Sequence, residues 1–221
     1  MSDLLMGQPW LELCTAMSVA EREQRRDERR EKLAVSTTTD EVGLIELVAK
    51  GDVRAYRQLV DRHLRGIHAF TYRMLGSRAE AEEVSQETFL RLWEHAGRYV
   101  PHAKPSTWIY RIAHNLAIDR LRRRREGSSG VSPDDLPGSE RPSGLFQERQ
   151  VAEAVQQALA ALPERQRAAI GLVHYQGLSN AEAAEVLGVG VRALESLLAR
   201  ARRELRDTLA ELAPSAGKAE S

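Results

Sequence analysis

The sequence predicts an all-α protein of two small helical domains, and three observations carry that reading. Apolar residues recur at spacings of three and four through most of the chain, the period of a helix with one buried face. No stretch of strand length alternates with a period of two, and no internal repeat is found. A run over residues 127–144, GSSGVSPDDLPGSERPSG, is rich in Gly, Ser and Pro and has almost nothing to bury. It reads as a flexible linker between two blocks of helical texture.

Length and composition agree. At 221 residues, 42% hydrophobic and 29% charged, the chain suits one large or two small globular domains. Its 32 Lys and Arg balance 32 Asp and Glu, so net charge does not argue for a nucleic-acid partner. The distribution does, because residues 106–125 hold six arginines against the single acid Asp119, whereas residues 76–95 hold five glutamates against Arg78 and Arg91. Segregated signs suit separate surfaces for separate partners. Cys14 is alone, which excludes an intrachain disulfide and points to a reducing, cytoplasmic setting. The apolar residues near the start are interrupted by Asp3, Pro9 and Glu12, so neither a signal peptide nor membrane insertion is expected.

Residues 1–39 read as an extension, either poorly ordered or a solvated helix, since 21–32 is almost entirely charged. The first domain spans 40–126. Leu44, Leu47 and Val48 form a short stripe ending at Gly51, and Asp52 caps a second helix carrying Tyr56, Leu59, Val60, His63, Ile67, Phe70 and Met74. Ser77 with Glu80 forms a capping box for a third helix, with Ala81, Val84, Thr88, Leu92 and Ala96 inward and Glu82, Glu83, Gln86, Glu87 and Arg91 outward. The loop RYVPHAKP leads to STWIYRIAHNLAIDRLRRRR, where Ser106 is expected to cap a helix. Ile109, Ile112, Ala113, Leu116 and Leu121 mark its core side, and Arg111, Asn115 and Asp119 a polar side. Trp108 and Tyr110 stand where rings could stack on bases, while the terminal arginines could hold phosphates or form a merely solvated end.

The second domain spans 145–212, before a disordered tail at 213–221. Val151, Val155, Ala158, Leu159 and Leu162 make one amphipathic helix, and Pro163 is expected as the first residue of the next. Ser179 with Glu182 makes a second capping box, opening a short helix with Ala183, Ala184 and Leu187. Gly188 to Gly190 turn the chain into a long last helix that buries Leu194, Leu197 or Leu198, Ala201, Leu205 and Leu209. The spacing fits a DNA-binding helix-turn-helix and equally a plain αα-hairpin. The six histidines form no i, i+4 pair, and no phosphate loop or nucleophile turn occurs. No catalytic residue, metal or cofactor is expected.

Three motifs in this order, EAEEVSQETFLRLW, STWIYRIAHNLAIDRLRRR and LPERQRAAIGLVHYQGLSNAEAAEVLGVGVRALESLLARARREL, resemble the extracytoplasmic-function (group IV) sigma factors of bacterial RNA polymerase. The resemblance runs from about Leu44 to Leu209 and implies a region 2 bundle followed by a region 4 helix-turn-helix. It implies an alternative sigma factor, active in a stress or signal response, whose partners are core RNA polymerase through the clamp and flap, promoter DNA and an anti-sigma factor. Glu83, Gln86, Glu87, Leu90 and Arg91 become the expected core-polymerase contacts. Tyr99, Val100, His102, Lys104, Trp108, Arg111, Asn115, Arg120, Arg122 and Arg123 become the expected contacts to a single-stranded minus-ten element, with the run through Arg125 on duplex phosphates upstream. Arg192, Glu195, Ser196 and Arg200 become the expected readers of a duplex minus-thirty-five element. Gly190, Ala193, Glu195 and Leu197 depart from the family's usual serine, threonine, lysine and arginine. The rival reading is a one-component helix-turn-helix regulator that acts without joining polymerase.

Overall fold

The computed structural model describes residues 41–126 and 146–212. The expected extension, linker and tail lie outside the described residues. All regular structure among the described residues is helical, and the two blocks fall within a single compact unit.

Helix α1 covers residues 41–49 and α2 covers Val53–Leu75. The carboxylate of Asp52 accepts from the backbone N–H of Arg54 at 2.7 Å and of Ala55 at 3.2 Å, satisfying donors that the first turn of α2 leaves unpaired. Leu59, Ile67, Phe70 and Met74 are fully buried, as their spacing predicts. His63 sits at the boundary, with Nε2 3.0 Å from Glu41 of α1.

Helix α3 spans Arg78–His95 and relaxes into a 3-10 turn at Ala96–Arg98. Only half of the expected capping box forms: the Ser77 hydroxyl accepts from the Glu80 N–H at 3.4 Å, but the Glu80 carboxylate turns to Arg124 of the next helix. A guanidinium is a stronger partner for a carboxylate than a backbone amide is. Ser85 and Phe89, which the stripe of threes and fours omits, are buried as well.

Helix α4 spans Pro105–Glu126, two residues earlier than a cap at Ser106 implies. Proline with its fixed φ enters the first turn readily, and the Trp108 N–H bonds back to the Lys104 carbonyl, so Ser106 lies inside the helix rather than capping it. Ile109, Ala113 and Leu116 are buried and Ile112 and Leu121 are partly so.

Helix α5 covers Phe146–Ala161 and α6 covers Glu164–Ile170. Pro163 is the N-cap residue of α6, not its first helical residue. Beyond α6 the chain widens into a π turn at Gly171–Tyr175, where the Gln176 N–H reaches the Gly171 carbonyl at 3.0 Å. Helix α7, Asn180–Leu187, opens with a complete capping box between Ser179 and Glu182. Gly188 then adopts φ 63, a left-handed value that a side chain would resist, and turns the chain toward α8, Val191–Leu212. Leu194, Leu198 and Ala201 seat α8 on the core.

The two blocks share one core. Phe70, Ile109 and Tyr110 of the first and Leu159, Leu172 and Leu194 of the second belong to one contiguous buried cluster. Helix α4 packs against α7, and α2 packs against α5, α6 and the π turn.

Candidate nucleic-acid interface

On α3, Glu83, Gln86 and Leu90 are exposed and Glu87 and Arg91 half-buried, a stripe of threes and fours opposite Val84, Thr88 and Leu92. Glu87 accepts from Arg91 at 2.8 Å, an i, i+4 pair along the helix. Leu90 is 49% exposed, an apolar side chain within a charged stripe.

The basic helix is not isolated from this acidic one. Arg120 pairs with Glu83 and lies 3.9 Å from Glu80, and Arg124 pairs with Glu80 while reaching the Leu75 carbonyl at 3.3 Å. The opposite signs that lie apart along the chain therefore meet across the α3–α4 contact. Arg122 bridges Asp119 at 3.5 Å and Glu126 at 3.8 Å, and Arg123 is exposed.

In the loop before α4, the Tyr99 hydroxyl donates to the Ala103 carbonyl, and its ring stands 5.3 Å from the Trp108 ring at 51°. Burial raises the pKa of the Tyr99 hydroxyl, and the carboxylates of Glu41 and Glu185 push it the same way. Val100 and His102 are exposed, as are Arg111 and Asn115 one turn apart on α4. Lys104 is engaged, its Nζ 2.9 Å from Glu182. Burial alone would raise the Glu182 pKa, but Lys104 and the Ser179 hydroxyl and N–H together bring it below the usual carboxylate value.

Tyr110 departs from the sequence expectation. It faces the core, not the bases: its ring meets Phe70 edge-on at 5.8 Å, and its hydroxyl donates to Gln176 at 2.8 Å. The spacing of Tyr110, Ala113 and Ala117 carries this second stripe, but nothing local in the sequence marks Gln176 as its partner. Burial raises the Tyr110 pKa well above its ordinary value, with Arg73 opposing, so the phenol stays a donor.

On α8, Arg192, Glu195, Ser196 and Arg200 are all exposed. The Ser196 hydroxyl donates to the Arg192 carbonyl at 3.0 Å, and among the described residues no ion pair joins Glu195 to Arg192. Among the described residues no group of three or more His, Cys, Asp or Glu is placed to hold a metal, and no helix is long and apolar enough to cross a membrane.

The Sigma-70 region 2 model matches residues 59–126, and the Sigma-70 region 4 model matches residues 152–205. The chain is 32% identical over 179 residues to the ECF RNA polymerase sigma factor SigW of Bacillus subtilis, covering 76% of this chain and 96% of that one. The chain belongs to the extracytoplasmic-function sigma factors. SigM of Mycobacterium tuberculosis, another member, is 35% identical over 162 residues, covering 73% of this chain and 81% of its own. Among solved structures, CnrH in complex with the cytosolic domain of CnrY has a TM-score of 0.62 at 27% identity, covering 77% of this chain and 97% of that one. RpoE in complex with the anti-sigma factor NepR from Bartonella quintana has a TM-score of 0.60 at 25% identity, covering 72% and 98%. As an alternative sigma factor the chain directs transcription, which sets aside a regulator acting without polymerase.

Proposed function

We propose that this sigma factor, cytoplasmic and without enzymatic activity of its own, joins core RNA polymerase through α3 and reads promoters with α4 and α8. Residues 40–126 act as region 2, 127–144 as a tether and 145–212 as region 4. Glu83, Gln86, Glu87, Leu90 and Arg91 contact the clamp of the largest subunit, and region 4 contacts the flap. The loop from Tyr99 to Lys104, with Trp108, Arg111 and Asn115, holds an unstacked minus-ten strand, and Arg120, Arg122 and Arg123 lie along its phosphates. Rings and cations offset the few kcal/mol, about the size of one unstacking step, that extruding a base costs. Arg192, Glu195, Ser196 and Arg200 face the major groove at minus thirty-five, and an anti-sigma factor restrains the protein.

One observation carries this reading best: the first turns of α8 hold a polar exposed face over a buried one, on a helix aimed by the capped α7 and the Gly188 turn. Run-off transcription with core polymerase and a genomic promoter library tests it. Promoter-specific transcripts that require this chain are expected; their absence, with binding to duplex DNA intact, would favour the one-component regulator.

A further inference from the structure

Among the described residues of the second domain, two large apolar side chains stand exposed, Tyr175 and Val191. Tyr175 is covered, since the Arg73 guanidinium lies 3.9 Å over its ring. Val191 stays open. It is 42% exposed at the first position of α8, whereas Val189 just before it and Leu197 and Leu205 beyond it pack against the core. Leu194, Leu198 and Ala201 already seat the helix, and valine is a poorer helix former than alanine. Neither burial nor helix propensity therefore calls for a valine at this position.

The surroundings of Val191 suit contact with a base edge. The Leu194 N–H bonds to the Gly190 carbonyl at 3.0 Å, so the helix begins directly after a glycine. A Cβ built on Gly188 or Gly190 would meet nothing within 4 Å, which leaves the space in front of the first turn of α8 open. Successive helical residues rotate by about 100°, so Val191 lies about 40° from Glu195 and Ala193 about 160° from it, on the far flank. Val191, Arg192 and Glu195 thus share the leading edge of α8, and all three are exposed. In the major groove thymine presents a methyl group on C5 where cytosine has none. A valine offers nothing to hydrogen-bond, but it can bury that methyl, and so it distinguishes thymine from cytosine without a polar contact.

We propose that Val191 determines specificity within the duplex assigned to α8, packing its γ-methyl groups on the C5 methyl of one thymine, an inference that rests on that assignment. Val191 and Glu195 are one turn apart, about 6 Å along the helix axis, while stacked base pairs are about 3.4 Å apart. The thymine therefore falls within about two base pairs of the base that Glu195 meets. Removing its methyl group weakens binding about fourfold, the size expected for one buried methyl.

The test uses holoenzyme assembled from core polymerase and the full chain, with a promoter taken from the run-off library. Duplexes randomised over its minus-thirty-five segment are selected for binding. Each thymine of the selected element is then replaced singly by deoxyuridine, which removes the methyl group and keeps every hydrogen-bonding group. Competition binding should show about a fourfold loss at one thymine with the wild type and no loss at that thymine with Val191→Ala. Penalties at other thymines should be the same for both proteins. Val191→Ala should fold normally, because the side chain is exposed and alanine is the better helix former. A selected element without thymine, no penalty at any thymine, or a penalty that persists in Val191→Ala overturns this role of Val191 while leaving α8 as the reader. Failure of the wild type to select any element overturns the assignment of α8 itself, and the role of Val191 with it.

Discussion

The two proposed DNA-reading helices differ in what occupies their cations. On α4 and its preceding loop, Lys104, Arg120, Arg122, Arg124 and Arg125 all meet carboxylates, and all but Arg122 meet those of α3 or the second domain. On the first three turns of α8, Arg192 and Arg200 are exposed and flank Glu195 and Ser196 on an open face. The proposed duplex reader presents its cations on an open face, while several cations of the proposed single-strand reader are paired with the protein's own carboxylates and its polar residues Arg111 and Asn115 stay exposed. That asymmetry suits their tasks: a duplex is available before promoter opening, and a single strand only after it.

Core truncations should produce the largest effects on this comparison. Ile109→Ala and Leu194→Ala each delete a fully buried side chain, one beneath each reader, and each should cost about 2–5 kcal/mol of stability. Because one core runs through both domains, thermal melting of either variant should shift the whole transition. Calorimetry resolving two independent transitions, only one of them shifted, would break the idea of a shared core.

Base readout comes next. Glu195→Lys should change the preferred minus-thirty-five sequence, with about 1–3 kcal/mol of discrimination moved, since a glutamate accepts from cytosine and a lysine donates to guanine. Arg200→Ala should weaken all promoters alike and reduce the slope of affinity against salt by about one. Selection from randomised minus-thirty-five elements decides this, and an identical consensus for wild type and Glu195→Lys would remove that residue from base readout.

Promoter opening sharpens the comparison from the other side. Asn115→Ala should slow opening by about tenfold while leaving duplex binding intact, the loss of roughly one good polar contact to a base. Asn115 is the cleaner probe, because Trp108 also packs on Tyr99 and belongs to the rim of the core. Permanganate footprinting separates the two steps.

The smallest effect is one of pH. His114 on α4 is partly buried, and burial lowers its pKa below 6.5, with Arg165 adding to the shift and a contact to Asn115 and the charge of Glu164 opposing it. The folded protein thus favours the neutral ring. This contribution is fully present above about pH 6.5 and is lost as the pH falls below it, because the unfolded chain then binds the proton first. Melting temperature should decline below that pH in the wild type and decline less in His114→Leu; parallel curves would remove His114 as the cause.

Much of the helical framework was legible from local pattern. Asp52 and Ser179 cap as read, Ser77 caps with half of its expected box, and Leu59, Ile67, Ala81, Val84 and Leu194 are buried as their spacing requires. Exposure of Glu83, Gln86 and Leu90 on α3 and of the polar face of α8 followed from the same periodicity. The start of α4 shifted by two residues and the role of Pro163 by one, because a proline tolerates both the N-cap and the first helical position. Tyr110 was misplaced because an aromatic ring suits a stacking surface and a core equally well, and only its neighbours tell which.

What the sequence by itself determined was the set of helices, their caps and the face each one buries, since these depend on residues within one or two turns of each other. Three motifs in order also determined the family. Only the tertiary structure decided how the polar groups are used. Arg124 meets Glu80 across 44 positions, Tyr110 meets Gln176 across 66, and Arg167 meets the Met74 carbonyl across 93. No periodicity spans such separations, and an arginine that holds a phosphate has the same local sequence as one held by a glutamate. The choice depends on which helices pack together, and so on the shared core that brings α4 against α7.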